Sequence, residues 1–167
     1  MNFIDKSFSH GNNFKIGHFC VIEDDVVVGD NVKIGNHVFL KSGTKIGNDT
    51  FIDTGVISSG NNRIGNSCKI RYQSIIARNV LIGDNVYFSA GVKTIFLTHT
   101  GGESIGMEIG SNCFFGDNVT IMGGISIVSQ CSFGACTLIT KHIWTPGLYI
   151  GTPARFLRSL REEEIYK

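Results

Sequence analysis

Residues 28–52 read VGDNVKIGNHVFLKSGTKIGNDTFI, and an aliphatic residue returns in them every six positions, at Val28, Ile34, Leu40, Ile46 and Ile52. Extended outward, the same step runs from Ile16 through Ile22 and on to Ser58, Ile64, Ile70, Ile76, Ile82, Phe88 and Thr94, fourteen hexads in one phase. A second run takes over at Ile109 and continues through Phe115, Ile121, Ile127, Phe133 and Ile139. Eighteen of these twenty lead positions are apolar, where a 42% hydrophobic composition gives roughly eight by chance. Glycine occupies the second position nine times, from Gly17 and Gly29 to Gly116 and Gly134, and turn formers such as Asp30-Asn31 and Asp84-Asn85 follow it. The fifth position is small or β-branched, as at Cys20, Val26, Thr44, Cys68, Cys113 and Cys131.

Six residues are three strand periods, so lead and fifth side chains point the same way and a bend closes each hexad. Three hexads complete one turn of a three-sided prism, and lead residues eighteen apart stack inside it as a continuous core. The reading is an all-β chain: a parallel β-helix of about seven coils over residues 16–144, with a degenerate cap over 1–15. The tail 145–167 contains TPARFLRSL, where Thr152 as N-cap, Pro153 at the first helical position and Phe156, Leu157 and Leu160 on one face predict a short terminal helix.

The chain of 167 residues has a formal net charge of +1 and no basic block, so neither nucleic acid nor an anionic membrane is an expected partner. The start MNFIDKSFSH lacks the apolar core of a signal peptide and no apolar run approaches a membrane span, giving a cytoplasmic expectation. Five cysteines without a CxxC pair read as reduced thiols, four of them at the inward fifth position and Cys136 at a corner.

The IGDNVxI pattern, seen in VGDNVKIGNHVFL and IGDNVYFSAGV, together with the ending EIGSNCFFGDNVTIMGGISIVSQCSFGACTLITKHIWTPGLYIGTPARFL, resembles the hexapeptide-repeat acyltransferases, in particular the branch acting on sugars and nucleotide-sugars. That resemblance implies a left-handed β-helix and a homotrimer whose sites lie between neighbouring chains. It also implies an acetyl or short acyl group moved from acyl-CoA to a sugar or nucleotide-linked amino sugar, without a metal. Such enzymes use a histidine at the base of a projecting loop. In this chain the hexad beginning at Thr94 ends at His99, and nine extra residues, TGGESIGME, precede Ile109, so residues 100–108 are expected to project with His99 as general base at their foot.

For the acyl-CoA, the likeness points to Gly134 and Ala135 beside the pantetheine arm and to Lys141 and Arg155 near its phosphates. Arg63, in one outward column with Leu81 and His99, together with Asn85 and Tyr72, is the candidate set for the acceptor. His18 and His37 are reserve candidates at corners, and His10 and His142 carry no assigned chemistry. A noncatalytic ligand-binding prism and a γ-class carbonic anhydrase-like metalloenzyme are the alternatives. The latter needs two histidines about one hexad apart, a spacing the five histidines do not supply.

Overall fold

The computed structural model describes residues 1–97, 101, 102 and 106–167. The chain folds as a left-handed parallel β-helix of about eight turns. Among the described residues face I carries eight strands from Phe3–Ile4 to Leu138–Ile139, and face II seven from Ser9–His10 to Ser126–Ile127. Face III carries eight parallel strands from Lys15–Ile16 to Gly147–Ile150, with a ninth, Arg155–Arg158, added antiparallel at its end. Each strand pairs with the one a coil away in constant register, for example Ile16 with Ile34 and Ile34 with Ile52.

The hexad's composition follows from this stacking. Its fourth residue adopts a left-handed backbone conformation at corner after corner, as at Asn31, Asp49, Asn85 and Asn118, which is the region Asn and Asp tolerate best. Its second residue is glycine because a side chain there would run into the Asn or Asp of the next coil, as Asn48 stands over Gly29 and Asn66 over Gly47. Those same side chains accept the backbone N–H one coil away, from Asp30 to Asn48 and from Asn48 to Asn66, both at 2.8 Å, so a hydrogen-bonded ladder runs along the II/III corner.

Among the described residues, the lead and fifth positions from Cys20 onward are buried, including the two polar leads, Ser58 and Thr94. Ser58 belongs to an internal network. The Asn62 Nδ2 donates to its Oγ at 2.8 Å, its Oγ lies 2.9 Å from Thr44 Oγ1, and Asn62 Oδ1 accepts the Val80 N–H at 2.8 Å. Asn62→Ala is expected to lower unfolding free energy by about 1–3 kcal/mol, read from the urea midpoint, because Val80 N–H and Ser58 Oγ lose a buried partner.

Two expectations need correction. The helix predicted after Pro153 is a strand: Arg155–Arg158 folds back on Gly147–Ile150, with Gly151 at φ 95° in the turn, and only Glu162–Glu164 forms a 3₁₀ turn. Local periodicity allowed a helix, but the last strand of face III offered an open edge, and a second strand satisfies its backbone. The repeat also begins earlier than the lead count indicated. Phe3–Ile4 and Ser9–His10 are already strands of the first coil, in register with Val21–Ile22 and Val27–Val28. Stacked only on one side, that coil leaves Ile4 and His10 exposed, so its lead positions are under no pressure to be apolar.

Cys20, Cys68, Cys113 and Cys131 are buried and Cys136 is exposed. Burial pushes the Cys68 thiol up to about 11, and a hydrogen bond to Cys131 together with burial raises that of Cys113. A buried thiol with a raised pKa favours the fold below pH 9 and loses that contribution as pH climbs toward 11. The native chain at pH 8 is therefore expected to give one reactive thiol to a chromogenic disulfide reagent, and five after denaturation.

Candidate functional site

The I/II corner is where the repeat departs from six residues. Between Lys93–Thr94 on face I and Met107–Ile109 on face II the chain takes fifteen residues from lead to lead instead of six. Met107 is buried and pairs with Val80, Glu108 with Leu81, and Ile109 with Ile82, so the coil resumes two residues before Ile109. Met107 and Glu108 thus belong to the strand rather than to a projecting loop. His99, the expected base, lies outside the described residues, as do three further residues of the 100–108 segment beyond Thr100.

The register also revises the column assigned to His99. Outward residues of face II run Lys45, Arg63, Leu81, Glu108 and Ser126, and Glu108 holds the place after Leu81 because the extra residues are inserted ahead of the strand. Beyond Ser126 the corner is two residues short, with Ile143 rather than residue 145 bridging to Ile127. The shortening brings His142 against Ser126, whose backbone N–H donates to imidazole Nδ1 at 3.1 Å. Accepting there places the proton of the neutral ring on Nε2, so His142 presents a donor from its other nitrogen. The Trp144 indole lies on that imidazole, centroids 5.1 Å apart and planes 15° from parallel, and is 69% exposed.

Two adjoining depressions flank the Glu108–Ser126 pair. One, of about 480 Å³, opens at the I/II corner and is lined by Asn79, Gly106, Met107 and His142 among others. The other, of about 430 Å³, runs over face II and is lined by Leu81, Gly83, Gly110, Val128 and Trp144 among others. The first of them reaches the inserted segment at Gly106.

The acceptor candidates are not brought together. Arg63 projects from face II, Asn85 sits at the II/III corner with its Nδ2 donating to Asn112 Oδ1 at 3.2 Å, and Tyr72 lies at the III/I corner with the Arg71 guanidinium 5.0 Å over its ring. Arg71 in turn donates to Asp53 at 2.8 Å and to Tyr87 Oη at 3.0 Å, which raises its own pKa further, Asp53 foremost among the causes. Of the coenzyme candidates, Gly134 and Ala135 share the last III/I corner and Arg155 stands nearby in the terminal hairpin, while exposed Lys141 lies across the prism at the I/II corner. Gly134 itself donates its N–H to Tyr149 and has Ile150 beside it. His18 and His37 are exposed at the III/I corner, where His37 stacks on Phe19.

Sequence reasoning passed over Glu108, His142 and Trp144. The signal for the last two was the four-residue step from Ile139 to Ile143, readable as a second irregularity of the repeat. Among the described residues no group of three or more His, Cys, Asp or Glu side chains is placed to hold a metal ion, and no helix is long and apolar enough to cross a membrane.

Hexads closing into a left-handed prism, with a corner opened by an insertion, define the class of hexapeptide-repeat acyltransferase folds. The chain belongs to the GMPPB C-terminal domain family, whose pattern matches residues 3–99. That match covers the coils ahead of the insertion and stops where it begins. A 40-residue stretch is 48% identical to the acyl-[acyl-carrier-protein]–UDP-N-acetylglucosamine O-acyltransferase of Rickettsia peacockii, covering 24% of this chain and 15% of that protein. The solved UDP-N-acetylglucosamine acyltransferase of Campylobacter jejuni superposes with a TM-score of 0.69 at 17% identity, over 98% of this chain and 78% of that one. A galactoside acetyltransferase in complex with coenzyme A superposes at 0.65 with 26% identity, over 73% of this chain and 67% of that one.

Proposed function

We propose that this chain is a cytoplasmic acyltransferase that moves an acetyl or short acyl group from acyl-CoA to a sugar or nucleotide-linked amino sugar. The observation that carries the reading is the inserted segment at the I/II corner, set beside a cleft containing Glu108, Ser126 and His142 in an otherwise repetitive prism. The sugar acyltransferases among its structural neighbours, one of them holding coenzyme A, support the choice of reaction.

In this mechanism His99 takes the proton from the acceptor oxygen or nitrogen as that atom attacks the thioester carbonyl. A backbone N–H stabilises the tetrahedral oxyanion, the C–S bond breaks, and the imidazolium returns its proton to the departing thiolate. Gly134 and Ala135, at the III/I corner, are assigned to the pantetheine arm of the donor, and Lys141 and Arg155 to its phosphates. Arg63, Asn85 and Tyr72 are assigned to the acceptor from neighbouring chains of a homotrimer, since one chain holds them apart. The outer column of face I supports self-association. Its first five members are Phe3, Val21, Phe39, Ile57 and Ile75, before Lys93, whereas over the same coils face III mixes Lys15, Lys33 and Lys69 with Phe51, and face II mixes Lys45 and Arg63 with Val27 and Leu81. Sedimentation equilibrium is expected to give three times 18.2 kDa, and Ile57→Asp to give 18.2 kDa with the fold retained.

Acyl-CoA donors screened against sugars and nucleotide-sugars test the reaction through free thiol released above the protein's own Cys136. Release that requires an acceptor supports it. No release from any pair overturns it in favour of a noncatalytic prism, the reading consistent with a family match confined to the coils.

A further inference from the structure

We infer that Trp144 and Glu108 form a subsite on face II for the pyranose ring of the acceptor, an assignment that rests on the transferase reading above. Trp144 is the chain's single tryptophan and one of its most exposed large apolar side chains. Leaving an indole 69% exposed forgoes the burial that usually accompanies this residue, yet its orientation is fixed, with one face against the His142 ring. His142 is itself tied to the Ser126 N–H, so the platform is held from behind and its other side is unoccupied by the imidazole.

The adjoining surface fits a sugar. Gly83 and Gly110 precede Val128 along the floor of the depression and carry no side chain, while Leu81 and Glu108 rise beside them. An aromatic plane takes the C–H face of a pyranose, and a carboxylate accepts from adjacent hydroxyls. A nucleotide is the poorer fit. Among the described residues lining the two depressions there is no lysine or arginine to meet a phosphate, and Glu108 contributes negative charge. The geometry therefore selects a hydroxylated ring over the phosphate-bearing portion of either substrate.

Because the chain has one tryptophan, emission excited selectively from tryptophan rather than from its four tyrosines reports this subsite alone. Glucose, galactose, mannose and N-acetylglucosamine are titrated separately, with UDP and coenzyme A as controls. At least one sugar is expected to change the emission saturably, with neither control doing so, and Glu108→Gln is expected to weaken that sugar's binding about fivefold or more. In steady-state assays Trp144→Ala raises the acceptor KM about tenfold with little change in kcat, and Trp144→Phe restores most of it. Emission that responds to coenzyme A or UDP instead, or to none of the four sugars, overturns the subsite. Acceptor-dependent thiol release with unchanged KM in Trp144→Ala also overturns it while leaving the transferase reading intact. A saturable sugar response without thiol release from any donor keeps the subsite and removes the transferase reading.

Discussion

Turnover with the true acceptor is expected to fall by about 100- to 10,000-fold when His99 is replaced by alanine, with far-ultraviolet circular dichroism unchanged. The effect follows from the chemistry: a sugar hydroxyl is a poor nucleophile until its proton is accepted during attack on the thioester. Removing the imidazole leaves alignment of the substrates in place, so residual activity and near-normal substrate KM values are expected together. Turnover within a factor of about two of the parent chain would remove His99 from the mechanism. Separate measurement of kcat and KM distinguishes this loss from that of Trp144→Ala, where the change falls on KM.

The largest expected effect on stability lies at the centre of the prism. Phe88, Phe115, Phe133 and Tyr149 occupy successive lead positions of face III, with ring centroids 4.9, 4.8 and 5.5 Å apart. The three phenylalanines are almost wholly buried. Phe115→Ala removes a ring that touches both neighbours in this column and is expected to cost about 3–5 kcal/mol, measured by urea unfolding. The constant strand register above and below it prevents the coils from closing on the vacated volume. Phe114, whose ring stacks outside on Tyr87, serves as the control: its truncation is expected to cost well under half as much, and equal losses at the two positions would contradict the packing argument.

The prism was legible because its period is short and its core is one-dimensional. Each inward position stacks on the equivalent residue a coil away, so one rule repeated through Ile34, Ile52 and Ile70 specifies local turn, strand and tertiary contact together. Reading failed where that rule no longer applied. Arg155–Arg158 has a sequence that suits either a helix or a strand, and the deciding influence was the open edge left by Gly147–Ile150, invisible to a local window. The same holds for the first coil, whose lead His10 is exposed with a strand partner on one side only among the described residues.

The candidate site was legible only as a break in rhythm. Counting located the insertion, but counting alone placed His99 in the column that register gives to Glu108. Arg63, Asn85 and Tyr72 are close in coil number yet lie on a face and two different corners, a distinction that depends on position within the hexad. His142 showed no signal as an isolated residue. Its role emerged from a corner two residues short, where an imidazole nitrogen takes the Ser126 N–H.

The chain leaves face I after Thr94 and rejoins face II at Met107 in the register it would have had without the detour. The departure and return points are therefore fixed by strands above and below, independently of what connects them. Loop closure costs only about 0.6 kcal/mol per doubling of length, so this corner acts as a socket in which segments of different length and chemistry can be exchanged at small thermodynamic cost. A lineage built on such a socket can change what it acts upon by rewriting one connection while its scaffold stays untouched.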